Sequence, residues 1–516
     1  MIALLLMFMG CDKDTTVDSA ATVDESSPTD DSSPTGDDTE PGDDTEPGDE
    51  TGLTTTVPDE ACPTTNPAPL GPGTCVLQAP CAWRGDETGA YAGYAVAAGD
   101  LDGDGLADIA FGAPYASGAA GSGAGAVRIL SGALIGVEAD PEVARLEGGD
   151  AYELFGQRLA VVGDVNGDGI AELLVGSPED DAIAERSGEA TLLSGGDWTP
   201  LASWRGESEL SELGGGGLEG GDLDGDGLND VIMGGELREP TDSSETFGAG
   251  QIYVVLGQES GWSMDADLAD ADATLTSETS YDILGHQVAV GDLDGDGQDD
   301  LIAGAPYAYG YRGRVFVLPG AEVSGVISAL DIPTRVSGES TYDTFGWSVG
   351  AADLDGDGDD ELIVGAPLAD LGYPEAGAVV VYEGGPEVFE GGLSLLASWG
   401  GAFDDEQIGY GVATGDVDGD GLEDFVAGGL YARAGLITRG GRTDLYRGRV
   451  DGWPLGTSAA SADAGFHGGG VNDYLGTANA LGDVDGDGKA ELILASGFTN
   501  SETEANIGSI YLYWGE

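Results

Sequence analysis

Seven copies of one aspartate-rich string, D-x-[DN]-x-D-G-x-x-[DE], recur along the chain. Their starts are 64, 58, 70, 61, 63 and 67 residues apart, which marks a repeat unit rather than a chance motif. The copies are DLDGDGLAD at 100–108, DVNGDGIAE at 164–172, DLDGDGLND at 222–230, DLDGDGQDD at 292–300, DLDGDGDDE at 353–361, DVDGDGLED at 416–424 and DVDGDGKAE at 483–491.

Each string, here called an Asp loop, carries the oxygen atoms that a hard cation requires. The side chains at positions 1, 3, 5 and 9 and the carbonyl at position 7 would point inward, and Gly at position 6 permits the sharp turn. Six copies have acids at all four side-chain positions, whereas the second has Asn166 at position 3. The predicted metal ligands are Asp100, Asp102, Asp104, Leu106, Asp108, Asp164, Asn166, Asp168, Ile170, Glu172, Asp222, Asp224, Asp226, Leu228, Asp230, Asp292, Asp294, Asp296, Gln298, Asp300, Asp353, Asp355, Asp357, Asp359, Glu361, Asp416, Asp418, Asp420, Leu422, Asp424, Asp483, Asp485, Asp487, Lys489 and Glu491.

The cation expected in these loops is Ca²⁺, in a structural role and at up to seven sites. Four carboxylates held a few ångströms apart repel one another unless a cation lies between them, so metal loading should be coupled to folding. Mg²⁺ is disfavoured because it demands tight octahedral geometry. An EF-hand would need Glu at position 12 and a following helix, but the first loop has Phe111 there, inside a strand-like run. Acidic turns that bind nothing are the remaining alternative.

The segments around each Asp loop predict short β-strands. A Gly and a short apolar stretch precede the loop, as in FGWSVGAAD, and an apolar run ending in small residues follows it, as in ELIVGAP. A variable loop, a strand opened by Gly and a further segment such as ASWRGES complete the unit. Four short strands per unit, separated by Gly-rich turns, indicate an all-β fold of antiparallel propeller blades.

The Phe-Gly before the loop and the Gly-Ala-Pro after it resemble the FG-GAP repeats of the integrin α-subunit head, a seven-bladed β-propeller. The resemblance covers residues 82–516 and is most specific at 345–346 with 365–367. It decays at 234–236, 428–430 and 495–497, where only the loop carries the match. In that family, the loops after the second strand lie on the face opposite the calcium hairpins and touch ligands, so the resemblance implies a ligand face there.

The last repeat ends without a fourth strand, and the N-terminal part of the fold is expected to supply it. The segment AWRGDETG at 82–89 resembles the fourth-strand segments ASWRGES and ASWGGAF and precedes the first loop. We predict that it completes the seventh blade and leaves no open edge. The propeller therefore spans 82–516, after a cysteine-containing lead-in at 61–81. One disulfide is expected among Cys62, Cys75 and Cys81, with the pairing left open.

The N-terminus predicts export and a tether. Residues 1–11, MIALLLMFMGC, resemble the end of a bacterial lipoprotein signal segment, with Cys11 as the lipidated residue and the only membrane attachment expected. Residues 12–60 hold 17 acids and almost nothing apolar, which predicts a disordered acidic linker. We therefore expect an extracytoplasmic protein, either anchored to a bacterial membrane or secreted to the cell surface.

The formal net charge of −79 excludes nucleic acid as a partner. No catalytic residue and no organic cofactor are predicted, because only two His exist and nucleophile and phosphate-binding motifs are missing. We expect a monomeric, non-enzymatic adhesion or recognition scaffold for protein or polysaccharide. The alternatives are a lectin and a polysaccharide lyase or hydrolase, for which the relevant loops offer few bases: Arg186, Arg238, Arg312, Arg433 and Arg439.

Aromatic residues in the loops after the second strands suggest either a ligand face or packing between blades. They are Tyr115, Tyr307, Tyr309, Tyr311, Tyr373, Tyr431 and Phe498. The tripeptide Arg84-Gly85-Asp86 falls in the proposed closing strand, and we interpret it as a coincidence rather than a recognition motif.

Overall fold

A computed structural model describes most of the chain from residue 79 onward, together with a few positions before it. The described residues are 62–63, 65, 74–75, 79–236, 248–277, 279–433, 437–450, 452–453, 457–458, 461–499 and 506–516. The predicted signal segment 1–11 and linker 12–60 lie outside these residues, as does much of the lead-in 61–81.

These residues form seven sheets, one for each Asp loop, and the four blade strands of each sheet are antiparallel. Before the first loop lie β1 (Thr74–Cys75) and β2 (Cys81–Arg84). Blade 1 consists of β3 (Val96–Gly99), β4 (Asp108–Ala113), β5 (Ala126–Leu130) and β6 (Glu142–Glu147). Blade 2 consists of β7 (Arg158–Gly163), β8 (Glu172–Ser177), β9 (Glu189–Leu193) and β10 (Pro200–Arg205). Blade 3 consists of β11 (Leu213–Gly221), β12 (Asp230–Gly235), β13 (Gln251–Val255) and β14 (Ala273–Thr276).

The remaining blades repeat this order. Blade 4 consists of β15 (Val288–Gly291), β16 (Asp300–Ala305), β17 (Arg314–Leu318) and β19 (Arg335–Ser337). Blade 5 consists of β20 (Ser348–Ala352), β21 (Glu361–Ala366), β22 (Ala378–Glu383) and β23 (Ser394–Gly400). Blade 6 consists of β24 (Ile408–Gly415), β25 (Asp424–Gly429), β26 (Arg442–Tyr446) and β28 (Ala464–His467). Blade 7 contains β29 (Ala478–Gly482), β30 (Glu491–Ser496) and β31 (Ser509–Tyr513).

Helical structure among these residues is limited to single turns. Two four-residue segments, α1 (Ala308–Tyr311) and α2 (Val388–Gly391), and three 3₁₀ turns at Gly132–Leu134, Leu268–Asp270 and Gly320–Glu322 occur. Within α1, Tyr309 and Gly310 have left-handed φ values of 56° and 74°, so this segment is a turn rather than a helix.

The first strands of the blades form the inner wall of a closed ring. The strands β3, β7, β11, β15, β20, β24 and β29 each contact the next, and β29 contacts β3 again. The second strand of every blade is buried along its whole length, because neighbouring blades cover both of its faces. This burial explains why runs such as ELIVGA are continuously apolar or small instead of alternating. The predicted seven-bladed propeller is therefore confirmed.

The N-terminal strand closes the last blade, as predicted. Strand β2 pairs antiparallel with β31, with Ala82 opposite Tyr511 and Trp83 opposite Ile510. The Trp83 side chain is 3 % exposed and packs in the core shared by blades 7 and 1. A disulfide joins Cys62 to Cys81, which confirms one bridge among the three cysteines and resolves the pairing that the sequence left open.

Three blades carry a fifth strand that the sequence did not predict. Strand β1 pairs in parallel with β28, β18 (Gly325–Ser328) with β14, and β27 (Thr457–Ser458) with β23. Each added strand comes from a segment outside that blade's own four-strand run and covers an outer edge whose backbone groups would otherwise be unpaired.

Candidate functional site

All seven Asp loops connect the first and second strands of their blades and therefore lie at one end of the ring, the Asp-loop face. Because adjacent strands are antiparallel, the connections from second to third strand lie at the other end, here called the opposite face. The predicted metal ligands are thus gathered on one face, seven sets around the ring axis.

The first-position aspartate folds each loop around its own carboxylate. In loop 1, the Asp100 carboxylate accepts hydrogen bonds from the backbone N–H groups of Gly103, Asp104 and Gly105 at 2.8, 3.1 and 3.0 Å. The fifth-position Asp104 accepts one from the Leu106 N–H at 2.9 Å. Two of these bonds recur in all seven loops, namely the bond from the sixth-position glycine to the first-position aspartate and the bond from the seventh-position N–H to the fifth-position aspartate. The string therefore fixes the loop backbone as well as providing oxygen atoms.

The ninth-position acid is the first residue of each second strand and is buried in all seven blades. One oxygen of Asp108 accepts the Leu101 N–H at 3.1 Å and the other accepts the Gly132 N–H at 2.9 Å. Corresponding bonds reach the equivalent acids from glycines that follow the third strands, for example from Gly257 to Asp230 at 2.9 Å. The sequence predicted these acids as ligands and missed this glycine partner, although a Gly recurs just after every third strand.

Burial raises the pKa of the ninth-position carboxyls far above the ordinary range. The pKa of six of them rises to about 7, and that of Glu361 to about 8. Desolvation is the main cause, and nearby loop carboxylates add to it. Without a cation, these groups therefore tend to hold a proton near neutral pH.

The donor set fits a hard cation. In at least four loops, one oxygen from each of three acids lies within 4.8 Å of the others, as for Asp100, Asp102 and Asp108 or Asp292, Asp294 and Asp300. Oxygen-only ligands in this number suit Ca²⁺, which accepts flexible geometry. A bound divalent cation would neutralise the clustered carboxylates and favour the ionised form of the ninth-position acid.

A ring of backbone hydrogen bonds joins each Asp loop to the next. The N–H at position 8 donates to the carbonyl at position 1 of the preceding blade's loop, as from Ala171 to Asp100 at 3.3 Å. The ring closes where Ala107 of blade 1 donates to Asp483 of blade 7 at 2.8 Å. The other five donors are Asn229, Asp299, Asp360, Glu423 and Ala490, with distances from 2.6 to 3.2 Å. The backbone position of each loop is thus linked by a hydrogen bond to that of the next loop.

On the opposite face, the structure divides the predicted aromatic set. Tyr115 and Phe498 pack against Tyr91, with ring centroids 5.1 and 5.2 Å apart, and Tyr431 packs against Tyr474 at 5.6 Å. These rings are partly buried between blades. Three others are exposed, namely Tyr309 (59 %), Tyr311 (44 %) and Tyr373 (48 %), and Tyr307 is partly buried.

The centre of the opposite face holds residues that the sequence did not single out. The residue after the Phe-Gly glycine is Tyr94, His286, Trp347 and Tyr410 in blades 1, 4, 5 and 6, and all four are partly exposed. His286 and Trp347 have ring centroids 4.4 Å apart, and Trp347 and Tyr410 are 5.4 Å apart. Their fixed place one residue after that glycine is the signal that could have identified them.

A carboxylate with two nitrogen-bearing neighbours lies beside these rings. The Glu236 carboxylate is 2.8 Å from the Nδ1 atom of His286 and 3.8 Å from the Arg158 guanidinium. Burial alone would raise the pKa of Glu236, but His286 and Arg158 hold it below its usual value. The carboxylate is therefore ionised at the mouth of the ring.

The predicted basic residues are placed differently from one another. Arg186 pairs with Glu179 at 3.0 Å and with Glu212. The Arg312 guanidinium lies over the Tyr309 ring at 5.4 Å, and that of Arg439 lies over Tyr431 at 5.1 Å. Arg433 is exposed, whereas Arg238 lies outside the described residues. In the Arg84-Gly85-Asp86 string, Asp86 pairs with Arg145 at 2.7 Å, which gives that aspartate a structural partner.

Comparison with known proteins places these repeats in a family. The family model "FG-GAP repeat" matches residues 92–130, 155–193, 284–318, 345–382 and 475–513. The folded part of this chain is an FG-GAP repeat β-propeller. The FG-GAP model thus covers blades 1, 2, 4, 5 and 7, while blades 3 and 6 have the same four strands and Asp loop without a match. Blades 3 and 6 include two of the three segments at which the sequence signature decays.

Several relatives share part of this FG-GAP propeller. The chain is 33 % identical to "Integrin alpha-5" of Xenopus laevis over 244 residues, which are 46 % of this chain and 21 % of that protein. It is 31 % identical to "Integrin alpha-V" of Gallus gallus over 198 residues, 36 % of this chain and 17 % of that one. It is 30 % identical to "Phosphatidylinositol-glycan-specific phospholipase D" of Homo sapiens over 196 residues, 37 % and 23 % of the two chains. The matched part thus spans about a fifth of the length of these relatives. Within the described FG-GAP propeller, no helix is long and apolar enough to cross a membrane.

Proposed function

We propose that this chain is a calcium-stabilised, extracytoplasmic recognition propeller that binds a protein or polysaccharide ligand through its opposite face. The observation that carries the proposal is the partly open cluster of Tyr94, Trp347 and Tyr410 beside the ionised Glu236. Aromatic rings with a few polar groups in a concave centre are typical of ligand sites. The integrin α relatives favour an adhesive role.

Calcium in this proposal is structural and occupies the seven Asp loops. Every blade has the loop, every loop is bonded to its neighbour, and the ninth-position acid of every loop is buried. Loading would therefore act on the whole ring rather than on a single reactive centre. The Asp-loop face is occupied by this framework, so a ligand is expected on the face where the blades differ.

An extracytoplasmic location is supported by the Cys62–Cys81 disulfide, since such bridges persist in oxidising compartments. Lipidation at Cys11 remains part of the proposal and predicts that the chain partitions with membranes through that residue alone. Mass spectrometry of the N-terminal peptide from the native host tests this: an unmodified Cys11 would remove the anchor from the proposal.

A bead-retention assay tests the recognition function. Beads coated with the full chain are passed over surfaces that each carry one polysaccharide or one extracellular protein, with 1 mM calcium or with chelator. Retention on at least one surface should disappear in the Trp347→Ala variant and in chelator. The matched control is Val326→Ala, which changes an 83 % exposed residue on the outer strand β18. Retention on no surface, or equal loss in both variants, would contradict the proposal.

A polysaccharide lyase or hydrolase is the second candidate, because one group of relatives is named as an enzyme and His286 hydrogen-bonds Glu236 at the mouth. General acid–base catalysis needs such a titratable pair within reach of a substrate. Incubation with acidic and neutral polysaccharides, followed by a reducing-end assay, distinguishes the two functions. If the chain produces new reducing ends and the His286→Gln variant does not, the protein is an enzyme and the recognition proposal is wrong.

A further inference from the structure

A continuous line of aromatic rings runs from the centre of the opposite face to its rim across blades 6, 5 and 4. Ring centroids are 5.4 Å apart between Tyr410 and Trp347, 6.4 Å between Trp347 and Tyr307, 6.0 Å between Tyr307 and Tyr311, and 5.6 Å between Tyr311 and Tyr342. Exposure increases outward: Tyr410, Trp347 and Tyr307 are partly buried, whereas Tyr311 and Tyr342 are 44 % and 50 % exposed. We call these five residues the aromatic track.

The backbone holds the outer end of the track in place. Tyr311 and Tyr342 have left-handed φ values of 65° and 76°, a backbone conformation that residues other than Gly adopt only at an energetic cost. The Tyr342 N–H donates to the Tyr311 carbonyl at 2.7 Å, and the two rings are stacked with an interplanar angle of 27°. The two rings are thus held in one arrangement at the rim. Ligand binding would therefore cost little conformational entropy of these two side chains.

A basic cluster adjoins the outer end of the track. The guanidinium groups of Arg312 and Arg314 lie 5.4 and 4.6 Å from the centroid of the exposed Tyr309 ring. Arg314 donates to the Ser337 hydroxyl at 2.9 Å, and Arg335 lies close enough to lower the pKa of Arg314, although burial is the larger cause. Arg312, Arg314, Arg335 and Tyr309 form what we call the basic cluster.

These arginines differ from most others in the described part of the chain, because no described carboxylate lies within 4.0 Å of them. Eight arginines do have such a partner: Arg128, Arg145, Arg158, Arg186, Arg205, Arg442, Arg447 and Arg449. In a protein with 96 acids and 17 bases, three neighbouring arginines that no carboxylate of the described residues pairs with are candidates for binding an external anion. Asp282 acts electrostatically to raise the pKa of Arg314, and its carboxylate accepts a hydrogen bond from Ser277 at 2.8 Å.

We propose that the track and the basic cluster together bind an acidic polysaccharide, with sugar rings on the tyrosines and uronate or sulfate groups on the arginines. The inference rests on the proposed recognition function and specifies its ligand class. Neighbouring rings of the track are 5.4 to 6.4 Å apart and are turned by 27° to 88° relative to one another, so the apolar faces of sugar rings would pack on the exposed edges and faces of the outer tyrosines. A guanidinium binds a carboxylate or sulfate with two parallel hydrogen bonds.

An acidic protein segment is less well matched to this surface. Protein interfaces of ordinary affinity need a buried apolar core and about 800 Å² on each partner. The track and cluster offer tyrosine rings and guanidinium groups but no aliphatic pocket among their members. The negative charge of the whole chain does not prevent anion binding here, because salt screens charges beyond about 8 Å at physiological ionic strength. Much of that charge also lies in the segment 12–60 and in the Asp loops at the other face.

The test uses labelled hyaluronan oligosaccharides, which alternate a uronate with an N-acetylhexosamine and serve as the probe. The full chain with 1 mM calcium should bind them saturably, and affinity should fall as salt increases. Arg312→Gln should weaken binding about tenfold, as expected for one lost charged hydrogen-bonding partner. Arg312→Lys should recover part of this, because it keeps the charge without the planar fork. Tyr342→Ala should weaken binding in the same range by removing a stacking surface.

Matched controls separate this site from nonspecific attraction. Arg449→Gln makes the same charge change at a 41 % exposed arginine that already pairs with Asp463, and should leave binding unchanged. Neutral N-acetylglucosamine oligomers of equal length should bind at least tenfold more weakly. Equal binding of poly-glutamate would favour an acidic protein partner and overturn the proposal, as would equal weakening by Arg449→Gln. Melting curves of each variant confirm that the propeller is folded, and Tyr342→Ala and Arg312→Gln test the site independently.

The two proposals fail in different ways. If beads are retained on some surface but hyaluronan does not bind, the acidic-polysaccharide inference is wrong and recognition stands. If no surface retains the beads and hyaluronan does not bind, recognition itself is wrong.

Discussion

Removing calcium should lower the stability of the whole propeller by an amount set by the number of Asp loops. With 1 mM calcium and dissociation constants of about 0.1–1 mM, the weak range typical of extracellular modules, each loaded loop stabilises by about 0.4–1.4 kcal/mol. Seven loops then contribute about 3–10 kcal/mol. An unfolding entropy of about 0.9 kcal/mol/K for the 82–516 propeller converts this to a melting shift of about 3–11 °C.

A single-loop variant makes the prediction specific. Asp296 is the fifth-position acid of loop 4 and is exposed, and Asn there could still accept the Gln298 N–H bond that Asp296 accepts at 2.9 Å. Asp296→Asn should therefore leave the chelated protein unchanged and reduce the calcium-dependent part of the shift by about one seventh or more. Asp331→Asn changes an exposed acid outside the loops and should have no such effect.

Differential scanning calorimetry with 1 mM calcium and with chelator measures both quantities. An unchanged melting temperature on chelation would refute the reasoning, because the loops would then be acidic turns without a stabilising ion. Equal behaviour of Asp296→Asn and Asp331→Asn would show that the stabilising ions bind elsewhere.

In chelated protein, urea midpoints should fall between pH 5 and pH 8. The ninth-position acids keep their protons to about pH 7 when folded, whereas unfolded carboxyls titrate near 4, so the folded state binds more protons in this window. Calcium should remove this fall in the midpoint. A midpoint that rises with pH in the absence of calcium would contradict the prediction. Gly132→Ala should lower the free energy of unfolding by about 1–3 kcal/mol, because the added Cβ would lie 2.5 Å from the Ala107 carbonyl oxygen. The control Gly149→Ala should change it little, because no atom lies within 4 Å of the added Cβ. Trp83→Ala should lower the free energy of unfolding by about 3–5 kcal/mol, as much as Trp204→Ala does in blade 2. A much smaller decrease would mean that β2 is not an integral strand of blade 7.

The sequence predicted the features that each repeat carries within itself. The spacing of the Asp loops gave the blade count, and the likeness of residues 82–89 to other fourth strands predicted the closure that β2 and β31 confirm. Both signals are local in sequence, because each blade is one continuous unit of four short strands. The ninth-position acid could be predicted as a ligand because it also belongs to the local Asp-loop string.

The features that the sequence did not predict depend on contacts between distant segments. The ring of hydrogen bonds joins Ala107 to Asp483, and no local pattern encodes a pairing across that separation. The fifth strands β1, β18 and β27 pair through backbone groups, which leave little trace in residue types. The aromatic set was ambiguous because tyrosine suits both packing and exposure: Tyr115 packs against Tyr91, whereas Tyr309 is exposed beside Arg314.

The number of calcium ions bound per chain tests the central claim most directly. Protein stripped with chelator and dialysed against calcium-free buffer is titrated calorimetrically with calcium, and the bound metal is counted independently by elemental analysis after dialysis. The arrangement of the seven Asp loops predicts about seven ions per chain, with proton release near pH 7 as the ninth-position acids ionise. Binding of no calcium, or of a single ion without proton release, would contradict the proposal that these loops form a metal-stabilised frame.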